Sequence, residues 1–423
     1  VNILLVTDTF PPMRTSGAEH MYALAKQLLL FGHQVTVIIP NPHLLSSVKT
    51  GDKEQMHLVE VKTLTTKDTH YVFRTFAEFI NPLLIKWRLR HHQQFLDSQF
   101  DGVVWYSPTI FWGPLITFIK RHFRCPSYLV LRDFFPDWAV HLGLLSSKGL
   151  PFWFLKKVEA YQYAQADTIG IQSPNNLRYF QQHYSAVKAH LEVLWNWGFA
   201  DPDNTTFVAG TINADLTPNY NSSRKKAAWS LAAAPLFGRT IFVYAGNMGV
   251  AQGMESILEL MAYFSARSDV GFLMVGRGSE VQTLRNKVDE FGWHHVEFLE
   301  EVSLEEIHLI LAQCHIGLIF LDPRHQTHNI PGKLISYLKA GLPILAYVNP
   351  GNDLETLIPD AGIGRVCFGD GAMSHRSLLD EAQAVLQDSL DPKIKERAIA
   401  FGQSLFSVAK AAEQITHQFA AKQ

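Results

Sequence analysis

Lys333 stands where a lysine needs a reason. It lies in "HNIPGKLISYLKAGLPILA" (residues 328–346), just after the apolar run "IGLIFL" (316–321). The stretch reads as a helix start beside the end of a strand. Pro331 suits the first helical position, because its missing N–H costs nothing there. Gly332 removes a side chain where a ligand could approach the backbone. Lys333 then adds a cation to a helix end that is already positive and favours acidic residues. A bound anion resolves that conflict. The competing reading is a lysine whose stem packs while its ammonium reaches solvent.

Three other stretches put glycine at a strand-to-helix turn. "PPMRTSGAE" (11–19) holds Gly17, which either lets backbone approach a ligand or only turns the chain. "AGNMGVAQG" (245–253) sets Gly246 and Gly249 around Asn247, and bare N–H groups at such a turn can cradle phosphate. It is neither a full G-x-G-x-x-G nor a P-loop. "VGRGSE" (275–280) carries Gly276 and Gly278, with Arg277 facing either a phosphate or water. In the first half, "LVLRDFFPDW" (129–138) places Arg132, Asp133 and Asp137 just past a strand. Asp133 can orient an acceptor hydroxyl or cap the next turn. No nucleophile–His–Asp set, H-E-x-x-H motif or metal-ligand spacing stands out.

The elements that must position these residues follow from periodicity. "ILLVTD", an amphipathic helix from residue 18 closed by Gly32, and "HQVTVIIP" form a βαβ unit. "GVVWYSP", "SYLVLRD" and "DTIGIQSP" repeat the pattern of a buried parallel strand ending in a polar loop. The first half therefore reads as one doubly wound α/β domain, ending near "LEVLWNWG" (191–198). Residues 201–226 turn rich in Asn, Thr, Asp, Ser and Pro and lose periodicity, which reads as a linker or surface loop. The theme restarts with "TIFVYAGNMG", "GFLMVGRGSE", "VEFLEEV", "SLEEIHLILAQC", "IGLIFL" and "PILAYV". Ser303 and Glu306 are spaced as a capping box. The chain closes on an amphipathic helix, "SLFSVAKAAEQITHQFAA".

Bulk numbers agree with this division. At about 100–200 residues per domain, 423 residues make two large domains. A hydrophobic content of 47% supports sizeable cores. The net charge of −2 gives no global field for nucleic acid. Residues 71–160, however, hold 11 Lys/Arg against 6 Asp/Glu, leaving −7 for the rest of the chain. Within them, "YVFRTFAEFINPLLIKWRLRHHQQFL" and "GLPFWFLKKVEAY" mix aromatic and basic residues, which suits either an anionic membrane face or a core-facing helix with solvated charges. Cys125, Cys314 and Cys367 are far apart and read as reduced core cysteines of a cytosolic protein. The first residues read as a strand rather than a signal peptide. No run of about 18 apolar residues marks a transmembrane helix.

Six pieces, in this order, carry a resemblance: "PPMRTSGAEHMYALAKQLLLFGHQVTV", "ADTIGIQSP", "VYAGNMG", "VGRGSE", "VEFLEEV" and "PGKLISYLKAGLPIL". Together they resemble family 4 retaining glycosyltransferases. The "PGK…Y…AGLPIL" and "RDFFPDW" versions are similar to bacterial O-antigen and capsule transferases, especially those for N-acetyl-L-fucosamine. The resemblance implies the GT-B fold: two doubly wound Rossmann-like domains facing across a cleft, with a C-terminal helix crossing back to the first. The expected division is 1–200, completed by about 406–423, as acceptor domain; 201–230 as linker; and 231–405 as nucleotide-sugar domain. The implied reaction moves a sugar from a UDP-sugar to a surface polysaccharide on a polyprenyl carrier. It needs no metal or other cofactor, and it places the protein in the cytoplasm, peripheral on the inner membrane face. A GT-B nucleotide-sugar epimerase and a non-catalytic nucleotide-sugar binder are the alternatives.

The resemblance also assigns residues. Backbone at Phe298, Leu299 and Glu300 would meet the base, and Ser336 the ribose. Lys333, Gly17, Gly249 and Arg277 would surround the diphosphate, with Gly246 and Asn247 in the same turn. His328, Asn329, Ile330, Pro331 and Gly332 would read the sugar. Arg132, Asp133 and Asp137 would meet the acceptor, Asp133 and Lys333 being catalytic. The chain departs from the family at His328 and Ser336, where glutamates are common, and after "AGN", where Arg and Lys are common.

Overall fold

The computed structural model describes all residues except 14, 67–70, 201–228, 325–326, 370–371 and 421–423. The linker stretch therefore lies almost wholly outside the described residues. The chain divides into two compact units, Val1–Gly198 with Val408–Gln423, and Phe199–Ser407.

The first unit begins with β1 (Asn2–Val6), α1 (Ser16–Leu30), β2 (Gln34–Asn41), β3 (Val48–Lys53), β4 (Met56–Lys62), α2 (Tyr71–Leu89) and the short α3 (Gln93–Leu96). It continues through β5 (Gly102–Ser107), α4 (Gly113–Phe123), β6 (Ser127–Leu131), α5 (Asp137–His141), α6 (Leu150–Tyr163), β7 (Thr168–Ile171), α7 (Pro174–His183) and β8 (His190–Val193). These strands form one sheet in the order β3-β4-β2-β1-β5-β6-β7-β8. All pairs are parallel except the β3–β4 hairpin. That hairpin was not read from sequence. Its two-residue turn uses Glu54 and Gln55 at φ 49° and 67°, positions where Gly, Asn or Asp are the usual signal.

The second unit holds β9 (Thr240–Ala245), α8 (Met254–Tyr263), β10 (Val270–Val275), α9 (Val281–Glu290), β11 (Val296–Leu299), α10 (Leu304–Leu311) and β12 (Ile316–Phe320). It ends with α11 (Lys333–Ala340), β13 (Ile344–Val348), α12 (Leu354–Asp360), β14 (Gly364–Phe368), α13 (Ala372–Asp388) and α14 (Lys393–Leu405). Its sheet, β11-β10-β9-β12-β13-β14, is entirely parallel. The central strands are buried on both faces, which is why they read as continuous apolar runs. The Ser303–Glu306 capping box forms at the start of α10.

The last helix, α15 (Val408–Ala420), belongs to the first unit. Ala411, Ala412, Ile415 and Phe419 join the core built on α1, β1 and β2. Gly102 at the start of β5 is required there, because a Cβ would sit 2.6 Å from the Phe419 ring. All three cysteines are buried and free, and burial pushes their thiols up, to about 11 for Cys125 and about 12 for Cys314 and Cys367.

Candidate active site

In each sheet the strand order reverses once. It reverses between β1 and β5 in the first unit and between β9 and β12 in the second. Ligands of open α/β sheets bind beyond the carboxyl ends of strands at such points. In the second unit, the residues singled out around Lys333 converge there.

Tyr337 sets the position of α11. Its hydroxyl accepts from the Ala245 N–H at 2.9 Å and donates to the Leu318 carbonyl at 3.1 Å, tying the helix to β9 and β12. Gly317 has no side chain because the Tyr337 ring fills that space. The N-terminus of α11 is thereby held against the loop after β9. Gly332 caps it without a side-chain bond, and no acidic residue lies in its first turn. The helix starts at Lys333, so Pro331 is not its first residue. Pro331 instead begins the turn whose carbonyl accepts from Leu334 N–H at 3.1 Å.

Lys333 Nζ donates to Gln252 Oε1 at 3.1 Å and lies 3.6 Å from the Tyr244 ring centre. Tyr244 completes the set, its hydroxyl donating toward Gln252 Oε1 at 3.0 Å and the Asn247 carbonyl at 2.7 Å. Among the described residues, no carboxylate comes within ion-pair reach of Lys333. The residue is half-buried, but its ammonium end lies deep enough that desolvation draws its pKa well below 10.5. The site is thus a recessed cation held by neutral partners. Sequence reading missed Gln252, Tyr244 and Tyr337. The available signal for Gln252 was its place in the loop directly after β9.

The two glycine loops serve first to meet each other. A Cβ on Gly276 would lie 2.0 Å from the Gly246 carbonyl oxygen, and one on Gly278 would lie 2.2 Å from that of Met248. Gly246 N–H donates to Val275 and Met248 N–H to Arg277. These two N–H groups are therefore not bare, which corrects the expectation of an open cradle at Gly246. Gly249 packs beside the Asn247 side chain. Arg277 is exposed and pairs with Glu301 at 3.2 Å. Phe298 and Leu299 end β11 at the carboxyl edge of the sheet, Glu300 follows exposed, and the Leu299 carbonyl already accepts from Gly276 N–H.

His328 adopts φ 54°, an uncommon left-handed backbone for a histidine, and such strain collects at functional positions. The Asn349 side-chain amide, just past β13, lies in hydrogen-bond contact with His328 Nδ1 at 3.0 Å. Asn352 donates to the Asn329 carbonyl at 3.2 Å. Ile330 is buried and anchors the loop; Ser336 is half-buried one turn into α11.

In the first unit, Gly17 lies inside the first turn of α1 rather than in a loop. A Cβ there would meet Thr9 at 3.0 Å and Tyr106 at 3.1 Å, so close packing explains it. Arg132 is likewise not presented to an acceptor. It is buried, donates to the Leu194 and Trp195 carbonyls, lies 5.0 Å from the Trp197 ring, and has its pKa drawn down to about 10 by burial. Asp137 turns into a polar cluster, accepting from Lys156, Tyr179 and Tyr184. Asp133 remains half-buried past β6, close enough to Tyr106 and Arg132 to influence both.

Two doubly wound units, each with one reversal of strand order, make the GT-B class of fold. Residues 234–400 match the family described as "Glycosyl transferases group 1". A curated relative, the probable glycosyltransferase WbjE of Pseudomonas aeruginosa, is 22% identical over 60% of this chain; the match spans 58% of the length of that relative. Among solved structures, WaaG, a glycosyltransferase involved in lipopolysaccharide biosynthesis, superposes with TM-score 0.63 and 16% identity over 98% of this chain and 99% of its own. HepE of Anabaena, solved with UDP and glucose, superposes with TM-score 0.61 and 12% identity over 99% of both chains. At these identities the structural likeness shows the fold, GT-B.

Proposed function

We propose that this protein is a retaining glycosyltransferase that uses a UDP-sugar to extend a surface polysaccharide. The observation that carries the reading is Lys333, a recessed ammonium without a carboxylate partner among the described residues, at a helix N-terminus on the switch point of the second sheet. That arrangement suits a diphosphate, which supplies the missing negative charge. The group 1 match over this unit, the UDP held by HepE, and the lipopolysaccharide pathway of WaaG support it.

In this reading the uridine lies toward the ends of β11 and β10, near Phe298–Glu300, and Ser336 faces the ribose. Lys333 neutralises charge that develops on the leaving diphosphate. A fixed donor of this kind contributes about 3–4 kcal/mol to the transition state. The sugar, N-acetyl-L-fucosamine or a related amino-deoxy sugar, meets His328 and the backbone of 329–332. Asp133 orients the acceptor hydroxyl, and the acceptor is carried on a polyprenyl lipid at an anionic membrane face. No metal is required, so chelators leave turnover unchanged.

The test is a panel of UDP-, GDP- and dTDP-sugars screened for thermal stabilisation, followed by turnover with the best donor. Lys333→Ala is expected to lower turnover by about 100-fold or more while the protein stays folded. Near-normal turnover in that variant overturns the assignment. Donor consumed without any acceptor would instead favour an epimerase.

A further inference from the structure

The outer face of the first unit carries apolar side chains where a solvated surface is expected. On α2, Phe73, Phe76, Leu83 and Trp87 recur at helical spacing and are exposed, while Ala77, Ile85 and Leu89 face the core. On α6, Leu150, Trp153, Phe154 and Tyr161 form a second exposed stripe, opposite the buried Leu155, Glu159 and Gln162. Exposure reaches 60% for Trp87, 58% for Trp153 and 86% for Leu150. Scattered exposed apolar residues are ordinary; a contiguous set is not.

The two stripes lie on helices that touch. The Phe79 and Phe154 rings lie 5.8 Å apart, joining α2 to α6. Between them α4 is tied to α6 by Thr117 and the Tyr161 hydroxyl at 2.7 Å, and to the end of α2 by Arg90 over Phe118 at 6.0 Å. The same three helices carry three, two and two Lys/Arg respectively; Arg74 is paired with Glu78, Lys120 with Asp167, and Lys156 with Asp137 and Glu159, while Arg121 and Lys157 are exposed. Glu78 is paired with Arg74, and Glu159 is buried. Lys157 lies within the exposed stripe of α6, and Lys148, Arg90 and Arg121 are exposed nearby. Apolar rings interleaved with net positive charge match the headgroup layer of an anionic bilayer, where Trp and Tyr are favoured. No described helix is long and apolar enough to cross a membrane.

We infer that the outer face of α2, α4 and α6 docks on an anionic phospholipid surface, with Trp87 and Trp153 seated among the headgroups. Residues 71–160 carry +5 of a chain that totals −2, so basic charge is concentrated in the stretch that holds these helices. The inference gives the membrane partner of the preceding reading a specific surface. It does not depend on the donor assignment, because binding to lipid needs no nucleotide.

Flotation of the full chain with vesicles tests it. Vesicles of phosphatidylcholine alone are compared with phosphatidylcholine mixed with an equal part of phosphatidylglycerol. The protein is expected to float with the mixed vesicles only, and less so as salt is raised. Lys148→Glu and Lys157→Glu should each weaken binding by about fivefold or more. Trp87→Ser with Trp153→Ser should abolish it while the melting temperature and its shift with UDP stay near wild type. Equal flotation with neutral vesicles, no flotation, or variants that bind like wild type overturns the inference. So does sedimentation as a dimer that the tryptophan variant dissociates, since a second copy would then cover the face. If UDP fails to stabilise the protein yet flotation holds, the donor reading falls and the surface stands.

Discussion

Lys333 destabilises the fold in order to be available. Its pKa is below 10.5 in the folded chain, so the unfolded chain binds the proton more readily. The resulting cost appears as pH falls through the unfolded value and is complete below the folded one. Lys333→Met removes that cost at neutral pH. The variant should melt higher, by about 0.5–2 kcal/mol of stability, while losing donor affinity; a lower melting point would contradict the desolvated ammonium. A diphosphate beside Lys333 favours the charged ammonium, so donor affinity should weaken as pH is raised. Titration calorimetry with UDP over a pH series measures it. Gln252 also gives a specific rescue. Its carboxamide lies 3.1 Å from Lys333 Nζ, so Gln252→Lys can return an ammonium to nearly the same place. Adding it to Lys333→Met should recover about tenfold of the lost turnover, a fraction of one oriented donor. No recovery would mean that the cation must come from α11.

At the scale of elements, the sharpest consequence lies where α5, α6 and α7 meet. Glu159 is fully buried on α6, and desolvation pushes its carboxyl up to about 7 despite Lys156 at 2.6 Å. Asp137 on α5, Tyr163 on α6, and Tyr179 and Tyr184 nearby complete the cluster. A carboxyl whose folded pKa is raised contributes stability below its unfolded value, near 4.5, and loses that contribution as pH rises through about 7. Glu159→Gln should therefore flatten the dependence of the urea midpoint between about pH 5 and pH 8 and stabilise the upper end. An unchanged slope would place the titration elsewhere. The paired glycine loops are a second element-scale device. Gly276 and Gly278 lie against the carbonyls of Gly246 and Met248, so the loops after β9 and β10 pack backbone to backbone, and Gln252 is held beside them by Tyr244 and Lys333.

For the whole molecule, α15 returns to the first unit after the second is complete. Its apolar face finishes the core on α1, and Gln414 and Gln418 donate to Val193 and Glu192 of β8. Phe419→Ala should cost the first unit about 3–5 kcal/mol, lowering one calorimetric transition and leaving that of the second unit in place. A uniform shift of both would show that the two cores unfold together. The second core is built from its own strands and helices, which is the reason to expect separate transitions.

Sequence by itself determined what depends on neighbours along the chain. Apolar runs ending in polar loops marked the central parallel strands, and Ser303 with Glu306 marked a helix start, because periodicity and capping are local. The oddity of Lys333 was also legible, since a helix dipole is set by its own peptide groups. Tertiary structure decided the rest. The β3–β4 hairpin escaped because Glu54 and Gln55 give no turn signal. Gly17, Gly246, Gly276 and Arg132 looked like ligand-binding positions, yet packing or buried carbonyls account for them. Tyr244 and Tyr337 carried no local mark of their role, and Gln252 only its place in the loop after β9. They matter only because β9, β12 and α11 meet at a reversal in strand order, and contacts between residues about 80 or 90 positions apart are fixed by the sheet rather than by periodicity.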